Sequence, residues 1–114
     1  MDDDQVITLI LDGAFEVHKT LGPGLLESVC EEALAYELGA RGLTVARQQP
    51  IPVTYKSLKF EQGFRADLIV DGRVIVELKS VETVGAVHRK QLLTYLRLTG
   101  LRFGLLLNFG APLL

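Results

Sequence analysis

Between Arg65 and Lys79 the chain reads Arg-Ala-Asp-Leu-Ile-Val-Asp-Gly-Arg-Val-Ile-Val-Glu-Leu-Lys, which sets Asp67, Glu77 and Lys79 into runs otherwise suited to β-strands. Charged groups among apolar strand residues are unfavourable unless they are paired or used. Two converging carboxylates can hold a hard divalent cation. Glu77 and Lys79 are separated by one residue, so on a strand their side chains share a face.

The register of this hairpin decides whether the carboxylates meet. A two-residue turn at Asp71-Gly72 pairs Val70 with Arg73 and mixes Glu77 into the apolar side. A three-residue loop, with Gly72 left-handed as a bulge residue, pairs Ile69 with Arg73, Asp67 with Ile75 and Arg65 with Glu77. It puts Ala66, Leu68, Val70, Val74, Val76 and Leu78 on one apolar face and Arg65, Asp67, Glu77 and Lys79 on the other. We expect this second register, with Asp67 and Glu77 as diagonal neighbours roughly 7–8 Å apart at Cα. The alternative to chemistry is an exposed charge network, Arg65 opposite Glu77, which would stabilise the sheet only slightly.

Composition bounds the rest. A chain of 114 residues, 48% hydrophobic, predicts one domain spanning 1–114 with a genuine core. Cys30 is the sole cysteine, so no intramolecular disulfide forms, and it is expected as a small buried residue rather than a nucleophile. With no bilayer-spanning apolar run and no signal-peptide pattern at Met1-Asp2-Asp3-Asp4, a cytoplasmic location with no membrane partner is expected. A net charge of −2 argues against coating nucleic acid by bulk electrostatics. Contact with a polyanion must be local or metal-mediated, with Arg89, Lys90, Arg97 and Arg102 as the local positive charge. Glu31, Glu32, Glu82 and Asp2 to Asp4 read as solvated charge, and His18 and His88 lack zinc-type spacing.

The elements that would carry these groups follow from periodicity. Val6, Leu9, Ile10, Phe15 and Val17 suit a helix over 5–21, stopped by Gly22-Pro23-Gly24. A second helix follows, with Leu25, Leu26, Val29, Ala33, Tyr36 and Ala40 near helical spacing and a stop at 39–42. Glu27 falls in its opening turns, where the helix dipole favours a carboxylate, and Leu34 and Leu38 beneath it place it at the border of the core. Short β-prone runs at 43–47 and 51–55, a short edge strand at 58–61, the hairpin, a helix over 87–98 and a strand over 102–109 complete a mixed α/β sheet. On the 87–98 helix His88, Gln91 and Tyr95 form one polar stripe.

Taken together these residues resemble the PD-(D/E)XK nuclease superfamily, in particular its RecB-like branch and the small bacterial GxxExxY proteins. Gly24-Leu25-Leu26-Glu27 is similar to the Gly-x-x-Glu element, 63–67 to the strand motif ending in the metal-binding Asp, Glu77-Leu78-Lys79 to Glu-x-Lys, and Gln91 to Tyr95 to Gln-x-x-x-Tyr. The resemblance implies a restriction-endonuclease-like core: a mixed central β-sheet flanked by helices, αβββαβ with an extra N-terminal helix. It implies a Mg²⁺- or Mn²⁺-dependent nuclease hydrolysing phosphodiester bonds in DNA. Asp67 and Glu77 would be direct metal ligands, joined by the Leu78 carbonyl and by Glu27 directly or through water. Lys79 would orient or activate the attacking water, Gln91 would place water or phosphate, and Tyr95 would support it. Cys30 stands where the family name has Tyr, and the resemblance implies further chain beyond Leu114. Two other readings stay open: a catalytically silent nuclease-like module that binds DNA or protein, and a homodimer packed through the C-terminal strand and Leu113-Leu114.

Overall fold

The computed structural model describes Met1–Ala111. Its elements run α1 (Asp3–Leu21), α2 (Glu27–Ala40), β1 (Val45–Tyr55), β2 (Leu58–Val70), β3 (Val74–Lys79), α3 (Ala86–Thr99) and β4 (Phe103–Asn108). The strands form one mixed sheet in the order β1-β2-β3-β4, antiparallel at the first two junctions and parallel at the third. This is the expected mixed α/β sheet with helices on both faces. No helix among the described residues is long and apolar enough to cross a membrane.

α1 begins on a reciprocal cap, in which the Asp2 carboxylate accepts the Gln5 N–H at 2.8 Å and the Gln5 side chain accepts the Asp2 N–H at 2.9 Å. Asp3 lies 3.5 Å from Arg73. Asp2 and Asp3 are therefore a cap and an ion-pair partner rather than merely solvated charge. Val6, Ile10, Ala14 and Val17 form the buried stripe of α1, whereas Phe15 is exposed. On α2 the buried stripe is Cys30, Leu34 and Leu38; of the run expected at helical spacing, Ala33 packs partly against the core while Leu25, Leu26, Val29, Tyr36 and Ala40 are exposed. Leucines four apart on one face outweigh a looser apolar run, because they stack on the same side of the helix. A Cβ on Gly13 would sit 2.9 Å from the Leu38 side chain, so glycine lets the two helices approach.

The two predicted short runs before the hairpin are one strand, β1, which passes through Pro50 and Pro52. It lies at the sheet edge, where a missing N–H removes no interior ladder bond. The predicted 58–61 edge strand is likewise the start of the 13-residue β2. β3 is covered on both faces. Leu68, Val70, Val74, Val76 and Leu78 pack with α1 and α2, while Ala66, Ile75 and Leu92 form a second cluster under α3. Each such side chain contributes on the order of 1.5–3 kcal/mol by leaving water.

The hairpin differs from expectation by two residues. Val70 pairs with Val74, Ile69 with Ile75 and Leu68 with Val76. Asp71 as well as Gly72 is left-handed, at φ 53° and 64°, because Asp71 is pinned to the start of β1: its N–H donates to the Thr44 carbonyl and its carboxylate accepts the Thr44 N–H. An even shift preserves which face each residue takes, so the apolar set survives. Ala66 is the exception. β2 changes phase around Asp67, which leaves Ala66 in the α3 cluster instead of beside Leu68.

α3 starts at Gly85, whose N–H donates to His88 Nδ1 at 3.3 Å, and ends at left-handed Gly100. His88 is thus engaged as a helix-capping side chain. His18 is buried, stacks on Phe109 and donates from Nε2 to the Ala111 carbonyl at 2.8 Å. The homodimer reading draws on Leu113 and Leu114, which lie outside the described residues.

Candidate active site

The β2–β3 ladder stops at Leu68–Val76, one residue short of Asp67 and Glu77. Side chains take over where the backbone bonds end. The Leu78 N–H donates to Asp67 Oδ2 at 2.9 Å, and the Asp67 N–H points to Glu77 Oε1 at 3.4 Å. Continued, the register sets Asp67 directly opposite Glu77 rather than diagonal to it. The strands open at the pair of carboxylates.

This position perturbs Glu77 strongly. Its side chain is buried at 7% exposure, and its carboxyl is pushed from 4.5 to about 8. Burial is the main cause, followed by a hydrogen bond to the Asp67 side chain and repulsion from that carboxylate; the Asp67 N–H and the charge of Lys79 pull the other way. Lys79 is half-buried and close enough for its charge to be felt at Glu77. Neither Arg65 nor Lys79 forms an ion pair with Asp67 or Glu77 among the described residues. Arg65 instead donates to Gln62 at 3.2 Å. The exposed cross-strand charge network is therefore not what occupies this end of the hairpin.

On the α2 side, Asp67 and Leu78 line a cavity of about 290 Å³ with Glu27, Ser28, Glu31 and Gln48. Glu27 is the first residue of α2 and is exposed. The loop that leads to it is tied to the end of β3 by Ser80 Oγ, which donates to the Leu25 carbonyl at 2.5 Å. Beyond β3, Asn108 accepts the N–H groups of Val81 and Gly110, and a Cβ on Gly110 would lie 2.4 Å from the Val81 backbone. Glycine at that position allows the segment after β4 to press against the segment after β3.

Glu31 and Gln48 are the residues the sequence did not single out. Glu31 is buried, not solvated. It accepts from Arg47 at 3.2 and 3.4 Å through Oε2 and from Gln48 Nε2 at 2.5 Å through Oε1. Gln48 Nε2 also donates to Asp67 Oδ1 at 3.2 Å. The available signal was spacing: Glu31 lies one helical turn after Glu27, on the same face.

On the other side of the sheet, Tyr95 stacks on Phe64 with centroids 3.9 Å apart and planes at 9°. Its hydroxyl is pushed up by burial and then by the charges of Glu77 and Asp67, so it lies within their electrostatic reach. Gln91 is exposed on α3 and makes no hydrogen bond to Asp67, Glu77 or Lys79 among the described residues. Of the six residues, Asp67 and Glu77 meet, Lys79 and Tyr95 are felt electrostatically, Glu27 shares the cavity, and Gln91 stands apart.

Among the described residues no three acidic, histidine or cysteine side chains lie close enough to form a ready-made metal cage. The donor chemistry nevertheless suits a hard dication. Two crowded carboxylates, one of them desolvated enough to retain a proton near neutrality, are relieved when a divalent charge replaces that proton.

A central β-hairpin that opens at an Asp–Glu pair, followed two residues later by Lys and flanked by helices on both faces, defines a PD-(D/E)XK-type fold. The profile of the PD-(D/E)XK nuclease superfamily matches residues 4–114, and the chain belongs to that superfamily. Searches of curated proteins and of solved structures found no match.

Proposed function

We propose that this chain is a metal-dependent nuclease of the GxxExxY kind, within the RecB-like branch, that hydrolyses phosphodiester bonds in DNA. The observation that carries the reading is the meeting of Asp67 with a desolvated Glu77 where the β2–β3 ladder opens, with Lys79 beside them. Asp67, Glu77, the main chain at Leu78 and Glu27 would hold Mg²⁺ or Mn²⁺. When bound, such an ion neutralises phosphate charge and lowers the pKa of water. Lys79 would orient the attacking water and balance charge on the phosphate. Tyr95, held against Phe64, would fix the α3 side of the site, and Gln91 would reach phosphate or water from solvent.

Charge distribution supports a polyanionic ligand on the α3 side. The first fifty residues carry nine acids against Lys19, Arg41 and Arg47, whereas 83–111 carries Arg89, Lys90, Arg97 and Arg102 and no acid. The modest net charge hides an acidic α1–α2 layer and a basic α3 layer on opposite faces of the sheet, and the basic one suits phosphate contacts.

A second reading, a catalytically silent module that binds DNA or protein, rests on Glu27 and Gln91 standing outside the Asp67–Glu77 contacts. Incubation of labelled DNA with Mg²⁺ or Mn²⁺ separates the two. Cleavage abolished in Asp67→Ala, Glu77→Ala and Lys79→Ala, with circular dichroism unchanged, supports the nuclease. Cleavage that persists in these variants overturns it, and binding without turnover in the wild type favours the silent module.

A further inference from the structure

Gln48 lies on β1 between Arg47, paired with Leu68, and Gln49, paired with Ala66, so it faces Asp67 across the ladder. It is a non-glycine residue at φ 48°. Left-handed backbone is disfavoured for L-residues, and outside Gly, Asn and Asp it persists where the surroundings hold it. What holds it is the side chain: the two N–H bonds of one amide reach Glu31 Oε1 at 2.5 Å and Asp67 Oδ1 at 3.2 Å.

This bridge ties three elements together. Glu31 comes from α2 and is buried, and Arg47 offsets its charge. Asp67 comes from β2, and its second oxygen accepts the Leu78 N–H from β3 at 2.9 Å. Both Asp67 oxygens therefore have a fixed donor, each keeping a lone pair for another partner. An uncharged amide suits the place. It lets two carboxylates approach without sharing a proton, where a lysine would ion-pair with Asp67 and compete with a cation.

We infer that Gln48 is a positioning residue for the metal site, locking the Asp67 carboxylate against Glu31 at the expense of a left-handed backbone. The inference rests on the nuclease reading, in which Asp67 is a metal ligand. Neighbours that orient a ligand govern affinity even though they never touch the ion. Gln48 is accordingly strained for function: the residue best for the backbone there is glycine, and the residue best for Asp67 is glutamine.

Gln48→Gly separates these demands, because it relieves the backbone while removing the amide. Gln48→Asn keeps a residue that tolerates the left-handed region but is one methylene too short to span both carboxylates. Mn²⁺ binding is measured by calorimetric titration, alongside thermal unfolding of each metal-free protein. The expected result is that Gln48→Gly unfolds within a few degrees of the wild type yet binds Mn²⁺ roughly 10–100-fold more weakly, with Gln48→Asn between. Wild-type affinity in both variants overturns the role of Gln48 and leaves the nuclease reading standing. Melting temperatures lowered by tens of degrees in both would make Gln48 a structural strut and overturn it too. Wild-type protein that takes up no Mn²⁺ overturns both readings together.

Discussion

Replacing Glu77 by Gln gives the most direct access to the electrostatics of the site. In the metal-free native protein Glu77 titrates near 8, chiefly through burial and then through Asp67, whereas the unfolded chain ionises it near 4.5. Between those values the native state keeps a proton that the unfolded state has lost. The free energy of unfolding therefore falls with rising pH, being fully retained below 4.5 and progressively lost until the native carboxyl ionises near 8. At about 1.4 kcal/mol per tenfold in proton affinity, the whole displacement corresponds to ~5 kcal/mol. Relaxation of the carboxyl pair and its neighbours on ionisation lowers this to roughly 2–3 kcal/mol. Glutamine fills the same space and never ionises. Urea unfolding in EDTA at pH 5, 6, 7 and 8 should thus find wild type and Glu77→Gln similar at pH 5, with the variant more stable by about 2–3 kcal/mol at pH 8. Saturating Mg²⁺ should shrink the wild-type slope, because a bound dication takes the place of the proton. Parallel pH profiles for the two proteins would refute the burial of Glu77 against Asp67.

Other consequences can be read from individual contacts. Arg47→Ala leaves the buried Glu31 without its cation and should lower stability by about 1–3 kcal/mol in chemical denaturation; no measurable change would mean that Glu31 is solvated after all. Gly110→Ala forces a Cβ to within 2.4 Å of the Val81 backbone, so the melting temperature should drop and amide exchange around 80–85 should speed up, whereas an unperturbed exchange pattern would contradict the close packing. Phe64→Ala removes the ring stacked on Tyr95 and should destabilise by roughly 1–3 kcal/mol; spectrophotometric titration should also find one tyrosine ionising at lower pH than in the wild type as water reaches Tyr95. Asp67→Asn keeps an acceptor for the Leu78 N–H but loses the charge, so the fold should persist while Mn²⁺ binding disappears, and retained binding would remove Asp67 from the ligand set.

The architecture was legible wherever pattern and local geometry agreed. Alternating apolar residues on either side of Asp71-Gly72 specified the hairpin, and the same apolar face, Ala66 apart, is preserved after a two-residue shift because strand faces repeat every second residue. The shift itself was hidden. It depends on Asp71 bonding to Thr44, 27 positions earlier in the chain, and no rule confined to the turn contains that partner. Helix faces were legible only in part for a similar reason: Cys30, Leu34 and Leu38 lie on the core side as expected, but most of the looser apolar run on α2 does not. α2 offers two apolar arcs, Leu26–Val29–Tyr36 and Cys30–Leu34–Leu38, and only the position of α1 and the sheet selects the second.

The candidate site was legible in the sequence only where a residue conflicted with its local pattern. Asp67, Glu77 and Lys79 announced themselves because charge in an apolar strand conflicts with its surroundings. Glu31 and Gln48 look like ordinary polar residues on a helix and an edge strand. They become distinctive only where β1 and β2 both depart from regular strand geometry, Gln48 by a left-handed backbone and Asp67 by an opened ladder. With both strands irregular at facing residues, and a buried glutamate behind them, the Asp67 carboxylate is held between the Gln48 amide and the Leu78 N–H. The local departures from ideal β-structure are thus what aim the one side chain that the proposed chemistry most needs fixed.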